Sequence, residues 1–430
     1  MLRFAAWLAL IVGSTGAALA AESAPENWPG WRGPRGDGSS SEATIATEWD
    51  GPSGKNIVWK AAIPGRGHSS PVIWQDQVFL ATFVPDQDDD KQHGRALLCL
   101  DRQTGRQRWQ QTVVEAPKEK KHTLNSYASG TPATDGERVY VTFLLPDFGS
   151  DSERTPGEMV VAAYDLQGNQ QWLVKPGRFA SVHGFCSSPV LFEDKLIVNG
   201  DHDGDAYIVA LDKKTGETLW KLDRENKTRS YATPIIREID GRMQMILPGS
   251  KCVASYDPRT GARHWLLEGP TEQFVASCVY DGKLVYLTAG FPERHILAVD
   301  PRGSGTLDDE AIAWRTKKGC SYVPSPVLCG EYFVVAADNG TASCYRARSG
   351  ELQWMERLGK SYSASLVTAG GLVYCLADDG VMKVVRPGPS LEVVAESKLG
   401  EFCYASPAIS QGQIFIRGEE HLFCVGADGG

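Results

Sequence analysis

The sequence of 430 residues lacks the features that mark nucleic-acid-binding and membrane-spanning proteins. It contains no run of five or more lysines and arginines, and its formal net charge is −9, so a surface for DNA or RNA is not expected. After the first 20 residues no apolar stretch approaches the roughly 18 residues of a spanning helix. Hydrophobic residues still make up 42% of the chain, which excludes general disorder and indicates a globular protein.

Motifs of common catalytic sites are also missing. The 8 histidines form no His-x-x-x-His or His-Glu-x-x-His pair, so a zinc site on a helix is not indicated. The sequence holds neither a Gly-x-Ser-x-Gly elbow nor a Gly-x-x-x-x-Gly-Lys-Ser/Thr phosphate loop, and no two cysteines are adjacent. We therefore assign no catalytic and no metal-binding residue from the sequence.

Residues 1–20 have the pattern of a secretory signal peptide. Arg3 is followed by nine consecutive apolar residues, Phe4 to Val12, and Ala18-Leu19-Ala20 offers a small-residue cleavage site. Gly13 to Gly16 interrupts the apolar run, which disfavours a membrane anchor. No cysteine follows the cleavage site, so a lipid anchor is not supported either. We expect the mature protein to be exported, either periplasmic or secreted.

The 10 cysteines do not form an evident disulfide framework. Cys99, Cys344 and Cys424 lie inside apolar runs at similar places in a repeat, so most cysteines are interpreted as small buried hydrophobic residues. A pair such as Cys186 and Cys403 could close a disulfide across adjoining repeats. The sequence does not establish any pairing.

One sequence pattern recurs along the chain. It consists of a Ser or Thr, an apolar stretch that predicts a strand, a second predicted strand, a Leu-Asp-x-x-Thr-Gly turn and a Trp. The clearest example runs from Ser70-Pro71 through Leu100 to Gly105 and ends at Trp109. Eight such units start, at intervals of 40 to 61 residues, at Ser70, Thr131, Ser188, Thr233, Ser277, Ser325, Ser365 and Ser406. The shorter intervals match the ~40–45 residues of a four-stranded propeller blade. The two longest contain the insertions 85–94 and 146–157.

The pattern inside each unit predicts strands. Short segments rich in Val, Ile, Leu and Tyr are separated by Asp-Gly or Asn-Gly dipeptides typical of hairpin turns, and no segment keeps a 3.6-residue period. We predict an all-β fold, an eight-bladed β-propeller of four-stranded antiparallel blades. Seven blades would result if the degraded seventh unit, with Val394 in place of the Trp, were incomplete.

The ends of the sequence predict how the ring closes. The eighth unit stops before its fourth strand, and Asn56 to Lys60, which includes Trp59, would supply that strand. The predicted domains are a signal peptide at 1–20, an N-terminal extension at 21–55 and a propeller at 56–430.

Two features admit both a structural and a ligand-binding interpretation. The repeated Trp residues and Asp-x-x-Thr-Gly turns are interpreted as packing and turn residues. The stretch from Asp201 to Asp205 resembles a calcium loop, but it coincides with the predicted hairpin of the third blade, and no distal Glu follows. We interpret it as a hairpin, and a cation site is the alternative.

An aromatic or histidine side chain precedes the first strand of every predicted blade. The eight residues are His68, Tyr127, Phe185, Tyr231, Phe274, Tyr322, Tyr362 and Tyr404. Loops at this position approach the central channel, so these residues could surround its mouth, with His183 and Arg229 among the polar groups nearby. Aromatic walls with a few polar groups are typical of a ligand site. In the alternative interpretation each aromatic ring caps its own blade and packs on the next.

The repeat resembles the PQQ-like, or quinoprotein-type, β-propeller family over about Ile57 to Gly430. The segment Trp28-Pro29-Gly30-Trp31-Arg32-Gly33-Pro34 resembles an opening of exported, planctomycete-type members of that family. The family includes PQQ-dependent alcohol dehydrogenases and the assembly factor BamB, a non-enzymatic scaffold. If the resemblance extended to the dehydrogenases, the chain would be expected to carry adjacent cysteines against the quinone and to bind calcium through Glu, Asn and Asp. Because no adjacent cysteines occur here, the chain is closer in character to BamB.

The sequence therefore predicts an exported, non-enzymatic scaffold without a cofactor. We expect it to be a monomer that binds another envelope protein, with no nucleic acid and no membrane span. Two alternatives remain open: a dehydrogenase dependent on PQQ and calcium, and a small-molecule or glycan binder that uses the channel mouth.

Overall fold

The computed structural model describes residues 26–86, 88, 93–147 and 155–426. The predicted signal peptide and the central parts of both insertions lie outside these residues. The described chain forms eight sheets, each built on four antiparallel strands, and the first strands of neighbouring sheets contact one another around a central channel. The fold is the predicted eight-bladed β-propeller.

The first strand of the chain is β1 (Ile57–Ala62). Blade 1 consists of β2 (Val72–Trp74), β3 (Gln77–Val84), β4 (His93–Asp101) and β5 (Gln107–Ala116). Blade 2 consists of β6 (Ala133–Thr134), β7 (Arg138–Pro146), β8 (Thr155–Asp165) and β9 (Gln170–Ser181). Blade 3 consists of β10 (Val190–Phe192), β11 (Lys195–Gly200), β12 (Tyr207–Asp212) and β13 (Thr218–Asp223). Blade 4 consists of β14 (Ile235–Ile239), β15 (Arg242–Gly249), β16 (Cys252–Tyr256) and β17 (Arg263–Glu268).

Blade 5 consists of β18 (Val279–Tyr280), β19 (Val285–Ala289), β20 (His295–Val299) and β22 (Ile312–Thr316). The intervening β21 (Gly305–Leu307) pairs in parallel with β17 as a fifth strand of blade 4, and a 3-10 turn follows at Asp309–Ala311. Blade 6 consists of β23 (Val327–Cys329), β24 (Tyr332–Ala336), β25 (Thr341–Arg346) and β26 (Leu352–Arg357). Blade 7 consists of β27 (Val367–Ala369), β28 (Leu372–Leu376), β29 (Val381–Arg386) and β30 (Glu392–Lys398). Blade 8 consists of β31 (Ala408–Ser410), β32 (Gln413–Arg417), β33 (His421–Val425) and β1.

The blade count and the ring closure confirm two predictions. Blade 7 is complete, so the seven-bladed alternative is wrong. The predicted position of the missing Trp is off by one residue, because Ala395 rather than Val394 lies opposite Val384, as Trp354 lies opposite Cys344 in blade 6. Strand β1 pairs with β33, and Trp59 lies opposite Cys424. The N-terminal strand therefore completes the last blade, as the ends of the sequence predicted.

Most of the repeated Trp residues join their own blade to the next one. The exceptions are Trp265, which donates to Gln244 of its own blade, and Trp354, whose Nε1 atom has no hydrogen-bond partner among the described residues. The indole Nε1 atoms of Trp59, Trp109 and Trp172 donate to main-chain carbonyls in the turn of the following blade, at 2.8 to 3.2 Å. The glycine of that turn lies under the indole, and a Cβ added to Gly105 would come within 2.6 Å of Trp59. Gly105 also has φ +69°, which favours glycine. The structural interpretation of the Trp and Thr-Gly positions is thus confirmed.

The aspartate of the turn organises it by hydrogen bonds. Oδ1 of Asp101 accepts from the backbone N–H groups of Gln103 and Thr104 and from the Thr104 hydroxyl, at 2.8 to 3.1 Å. Its other oxygen accepts from Arg108 at 2.6 Å. This is the Asx-type turn that the repeat predicted.

The charge of Asp101 should make stability depend on pH. The hydrogen bond from Arg108 lowers the pKa of Asp101 to about 2. Because an ordinary Asp has a pKa of about 3.9, the stabilisation is complete above that value and is lost as the pH falls toward about 2. We expect Asp101→Asn to lower the free energy of unfolding at about pH 6 and to have a vanishing effect near pH 2. Urea unfolding across this range measures it, with the exposed Asp223→Asn as control. A destabilisation that is independent of pH would contradict this expectation.

A ring of Ser and Thr hydroxyl groups surrounds the channel. Its members are the Ser and Thr residues at which the repeat units start. The backbone N–H of such a residue in one blade donates a hydrogen bond to the hydroxyl oxygen of the corresponding residue in the next blade. Six such bonds, at 2.9 to 3.3 Å, join Ser70 to Thr131, Thr131 to Ser188, Thr233 to Ser277, Ser277 to Ser325, Ser325 to Ser365, and Ser365 to Ser406. These bonds explain why the repeat begins with a small hydroxyl residue.

The cysteines are free thiols in the structure. Nine of the ten are buried and Cys186 is half-buried, which agrees with their interpretation as small hydrophobic residues. The suggested disulfide between Cys186 and Cys403 is absent, because these residues precede blades 3 and 8, which are not neighbours in the ring.

Candidate binding site in the central channel

The two ends of the channel differ. We call the side where the innermost strands begin the open face, and the side where they end the plugged face. Residues 26–42 run across the plugged face and form hydrogen bonds with seven of the eight blades. The partners are Ile73, Thr134, Arg237, Ser277, Ser325, Thr368 and Ser410. The N-terminal extension therefore covers this end of the channel.

Two adjacent residues of the extension reach toward the axis. The indole of Trp31 donates to the Ser277 hydroxyl at 3.1 Å, a member of the hydroxyl ring. The side chain of Arg32 is buried, and its guanidinium donates to the carbonyls of Asp37, Ser325 and Pro326 at 2.5 to 3.3 Å. Burial lowers the pKa of Arg32 to about 10, although Asp37 opposes the shift. The guanidinium remains charged at neutral pH and ties the extension to blade 6.

A cavity of about 550 Å³ occupies the channel above Trp31. Its wall contains Ser188, Thr233, Ser365 and Ser406 of the hydroxyl ring. Because the extension covers the plugged face, the cavity opens toward the open face. Such a concave cavity with aromatic walls is the usual form of a ligand site.

The structure brings six of the ten sequence-predicted site residues together in this cavity. They are His68, His183, Arg229, Tyr231, Tyr322 and Tyr404. A seventh, Tyr127, lines a smaller pocket beside the cavity mouth.

The remaining three predicted residues do not line the cavity. Phe185, Phe274 and Tyr362 are at most 4% exposed. Phe185 packs against Phe179 of its neighbouring blade, with ring centroids 5.0 Å apart, and Phe274 belongs to the core of blades 4 and 5. These side chains face the blades because the loops that carry them turn inward to the core. For them the alternative interpretation, blade capping, describes the geometry, and the ring of aromatic residues at the mouth is incomplete.

Hydrogen bonds fix the orientation of the cavity wall. The Tyr322 hydroxyl donates to Gln273 at 3.0 Å, and the Tyr231 hydroxyl lies 2.9 Å from the Ser181 hydroxyl. Asp338 accepts from the backbone N–H groups of Tyr322 and Val323 at 2.8 and 3.0 Å. The aromatic rings are therefore held in place before any ligand binds, which reduces the entropic cost of binding.

Two histidines of the wall, His68 and His183, have pKa values below the ordinary value of histidine. Burial, followed by the charges of Arg417 and Lys121, lowers the pKa of His68 to about 4. Burial and the charge of Arg229 also lower the pKa of His183. Neutral imidazoles can both donate and accept hydrogen bonds.

Sequence reasoning missed several residues of the site. Trp31 closes the cavity, and Phe291, Arg294 and Asp338 contribute to its wall. The segment that contains Trp31 was noted only as part of a family resemblance. Its repeated Trp and Gly, immediately ahead of the first blade, were the available signal.

The acidic stretch of blade 3 is a hairpin loop, as predicted. It connects β11 and β12, and each of its carboxylates pairs with a basic side chain. Asp201 binds Arg224 at 2.8 Å, Asp203 binds Arg229 at 2.8 Å, and Asp205 binds Lys227. Because all three carboxylates are engaged in these ion pairs, the geometry does not favour the alternative of a cation site.

The residues of the cavity do not fit a quinone held by calcium. Asp338 is the single carboxylate of the described wall, and both of its oxygens already accept backbone N–H groups. Within the described ranges, one group of three side chains could hold a metal, Glu401, Glu420 and His421, and none of the three lines the cavity. No adjacent cysteines are available to lie against the cofactor.

The fold and the recurring Trp-on-turn contacts define a PQQ-like β-propeller. The model of one family, described as outer membrane protein assembly factor BamB, matches residues 39–143, 93–290 and 292–386. Because these matches cover most of the sequence, the chain belongs to this family.

Solved structures show the same fold at low sequence identity. BamB from Moraxella catarrhalis is 13% identical with a TM-score of 0.59, covering 87% of this chain and 98% of that one. Quinohemoprotein alcohol dehydrogenase from Comamonas testosteroni is 12% identical with a TM-score of 0.62, covering 94% of this chain and 81% of that one. No curated protein matches the sequence. Across the described residues, no helix has the length and hydrophobicity needed to cross a membrane.

Proposed function

We propose that the protein is an exported, non-enzymatic propeller that binds another envelope protein at its open face. The observation that supports this proposal is a group of exposed apolar side chains around the mouth of the cavity, which is closed at the plugged face. The family membership supports a scaffold role, because its description names an assembly factor.

The apolar side chains come from three different blades. Leu124 is 52% exposed, Phe291 49% and Phe402 54%, and each lies in a loop of the open face. Leu124 and Phe291 also line the cavity, and the ring of Phe402 stacks parallel to that of Tyr404. Grouped exposed apolar residues around a recess are typical of a protein-binding surface.

A charged group accompanies this apolar rim. Arg294 is exposed beside Phe291, and within the described chain it forms no ion pair. Arginine is enriched at protein interfaces, where it binds carboxylates and carbonyls of the partner. The open face thus offers both apolar area and a free guanidinium.

The rim can be tested by affinity capture from an envelope extract of the source organism. We expect Leu124→Asp with Phe291→Asp to reduce capture of the partner at least tenfold, because charges would replace apolar contacts. Met355→Asp with Val393→Asp provides the matched control, since these residues are similarly exposed on outer strands. Equal capture by both double variants would contradict the proposal.

The cavity supports a second candidate, a small-molecule or glycan binder. Its Trp31 floor and the fixed rings of Tyr231 and Tyr322 favour a flat or cyclic ligand. Tyr322→Ala should weaken binding of such a ligand in the cavity. The same substitution should leave capture of a protein at the rim unchanged, because Tyr322 is not one of the exposed rim side chains, and this difference distinguishes the two candidates.

A further inference from the structure

A second pocket, of about 260 Å³, lies beside the cavity mouth where blades 8, 1 and 2 meet. It shares His68, Leu124, Asn125 and Tyr404 with the central cavity. Three cationic side chains form part of its wall, Arg66, Lys121 and Arg417. Nothing in the proposed function requires so many positive charges at this point.

Arg417 is buried without a carboxylate partner. It is 1% exposed, and its Nη1 atom donates to the Ser69 hydroxyl at 3.0 Å and to the Ala81 carbonyl at 2.7 Å. Of the other buried arginines, Arg95 pairs with Glu119 and Arg224 pairs with Asp201, whereas Arg32 donates from both of its amino groups to carbonyl oxygens. A buried charge without a counterion is costly, so its retention at a pocket wall points to a ligand of opposite charge.

The second amino group of Arg417 is positioned at the pocket. Its Nη2 atom lies so close to Gly67, another wall residue, that a Cβ added there would be 2.8 Å away. Within the described part of the chain, Nη2 forms no hydrogen bond. The absence of a side chain at Gly67 leaves this N–H group accessible from the pocket.

The other two cations complete the arrangement. The Lys121 ammonium donates to the Asn125 carbonyl at 2.6 Å and lies 5.1 Å from the centre of the Tyr127 ring. Arg66 is exposed at the rim and forms no ion pair among the described residues. The wall contains one carboxylate, Glu419, and the described residues give it no ion pair with any of the three cations. The pocket therefore has an excess of positive charge.

We propose that this pocket binds an oxyanion, the carboxylate or phosphate group of a small ligand. Arg417 would donate from the base of the pocket, and Lys121 and Arg66 from its sides. Guanidinium and ammonium donors form short, charge-assisted hydrogen bonds with such oxygens. The proposal does not depend on what binds at the apolar rim.

The test uses the mature full-length protein and two probes, inorganic phosphate and acetate, each compared with chloride at equal ionic strength. We expect saturable heat of binding by calorimetry for at least one probe. Arg66→Ala with Lys121→Ala should weaken it at least tenfold. Arg106→Ala, an exposed arginine in the turn of blade 1 on the plugged face, should leave it unchanged.

The two probes distinguish the sources of the anion. Tighter binding of phosphate assigns the pocket to a phosphate group, and tighter binding of acetate assigns it to a carboxylate. Circular dichroism shows whether the variants remain folded, and the double variant keeps Arg417, which contacts blade 1. Absence of saturable binding of both probes to the wild type would overturn the proposal, as would equal loss in the Arg106→Ala control.

Discussion

Trp59→Ala is expected to reduce the free energy of unfolding by about 3–5 kcal/mol, the usual cost of removing a large buried aromatic side chain. Trp59 is 9% exposed and packs against Phe415, with ring centroids 6.0 Å apart. It also contacts Gly105 of blade 1, and its indole donates to the Arg102 carbonyl at 2.8 Å. The substitution therefore weakens the junction at which the two ends of the chain close the ring.

Two conservative variants separate the packing of Trp59 from its hydrogen bond. Trp59→Phe keeps most of the ring but loses the indole N–H, which should cost about 0.5–1.5 kcal/mol. Trp354→Phe is the matched control, because Trp354 is similarly buried but its Nε1 has no hydrogen-bond partner. Urea unfolding followed by tryptophan fluorescence and circular dichroism gives the free energies. A loss below about 1 kcal/mol for Trp59→Ala would contradict the expected role of its side chain at the ring closure.

Arg224→Met should be destabilising by a similar amount, about 3–5 kcal/mol, because it leaves a buried carboxylate without its counterion. The side chains of Arg224 and Asp201 are both fully buried and 2.8 Å apart. Arg224 also donates to the Tyr256 hydroxyl and to the Gly249 carbonyl, at 2.5 and 2.9 Å. Burial opposes the charged form of Arg224, but the charge of Asp201 more than compensates and raises its pKa.

A double-mutant cycle shows whether the buried pair is the cause. Asp201→Asn in the Arg224→Met background removes the uncompensated charge, so it should recover part of the lost stability. The exposed pair of Arg259 and Glu193, 2.7 Å apart, is the control, and Arg259→Met should cost much less than Arg224→Met because solvent screens the exposed pair. Equal costs for the buried and the exposed arginine would contradict the expectation.

The architecture could be predicted from the sequence because the determinants of a blade are local. A Trp, an Asp-x-x-Thr-Gly turn and a Ser or Thr recur in most units. The indole of Trp59 and the backbone of Ser70 bind the neighbouring blade, and Asp101 holds its own turn together. The fifth strand of blade 4, β21, could not be predicted in this way. It lies in the connection between β20 and β22 of blade 5 and pairs with β17 across a blade boundary, a contact for which the repeat carries no signal.

The site was predictable only in part, for a related reason. Tyr322 and Tyr362 occupy equivalent positions of the repeat, but one ring lines the cavity and the other is buried beside Gly359 and Ala377. The direction of such a ring depends on the shape of its loop rather than on its place in the repeat. The floor of the cavity could not be predicted, because Trp31, which forms it, donates a hydrogen bond to Ser277, 246 positions away in the sequence. Local patterns do not encode a contact of that range.

The position of the N-terminal extension has a consequence for the order in which the protein is assembled. Residues 26–55 are synthesised first, but their partners include Thr368 and Ser410 in the last two blades. Strand β1 likewise cannot form its sheet pairing until β33 has been synthesised. Residues 26–62 therefore have no complete binding surface until nearly the whole polypeptide has been synthesised. Contacts of such long sequence separation are slow to form, so docking of the extension and closure of the ring belong to the final stage of folding.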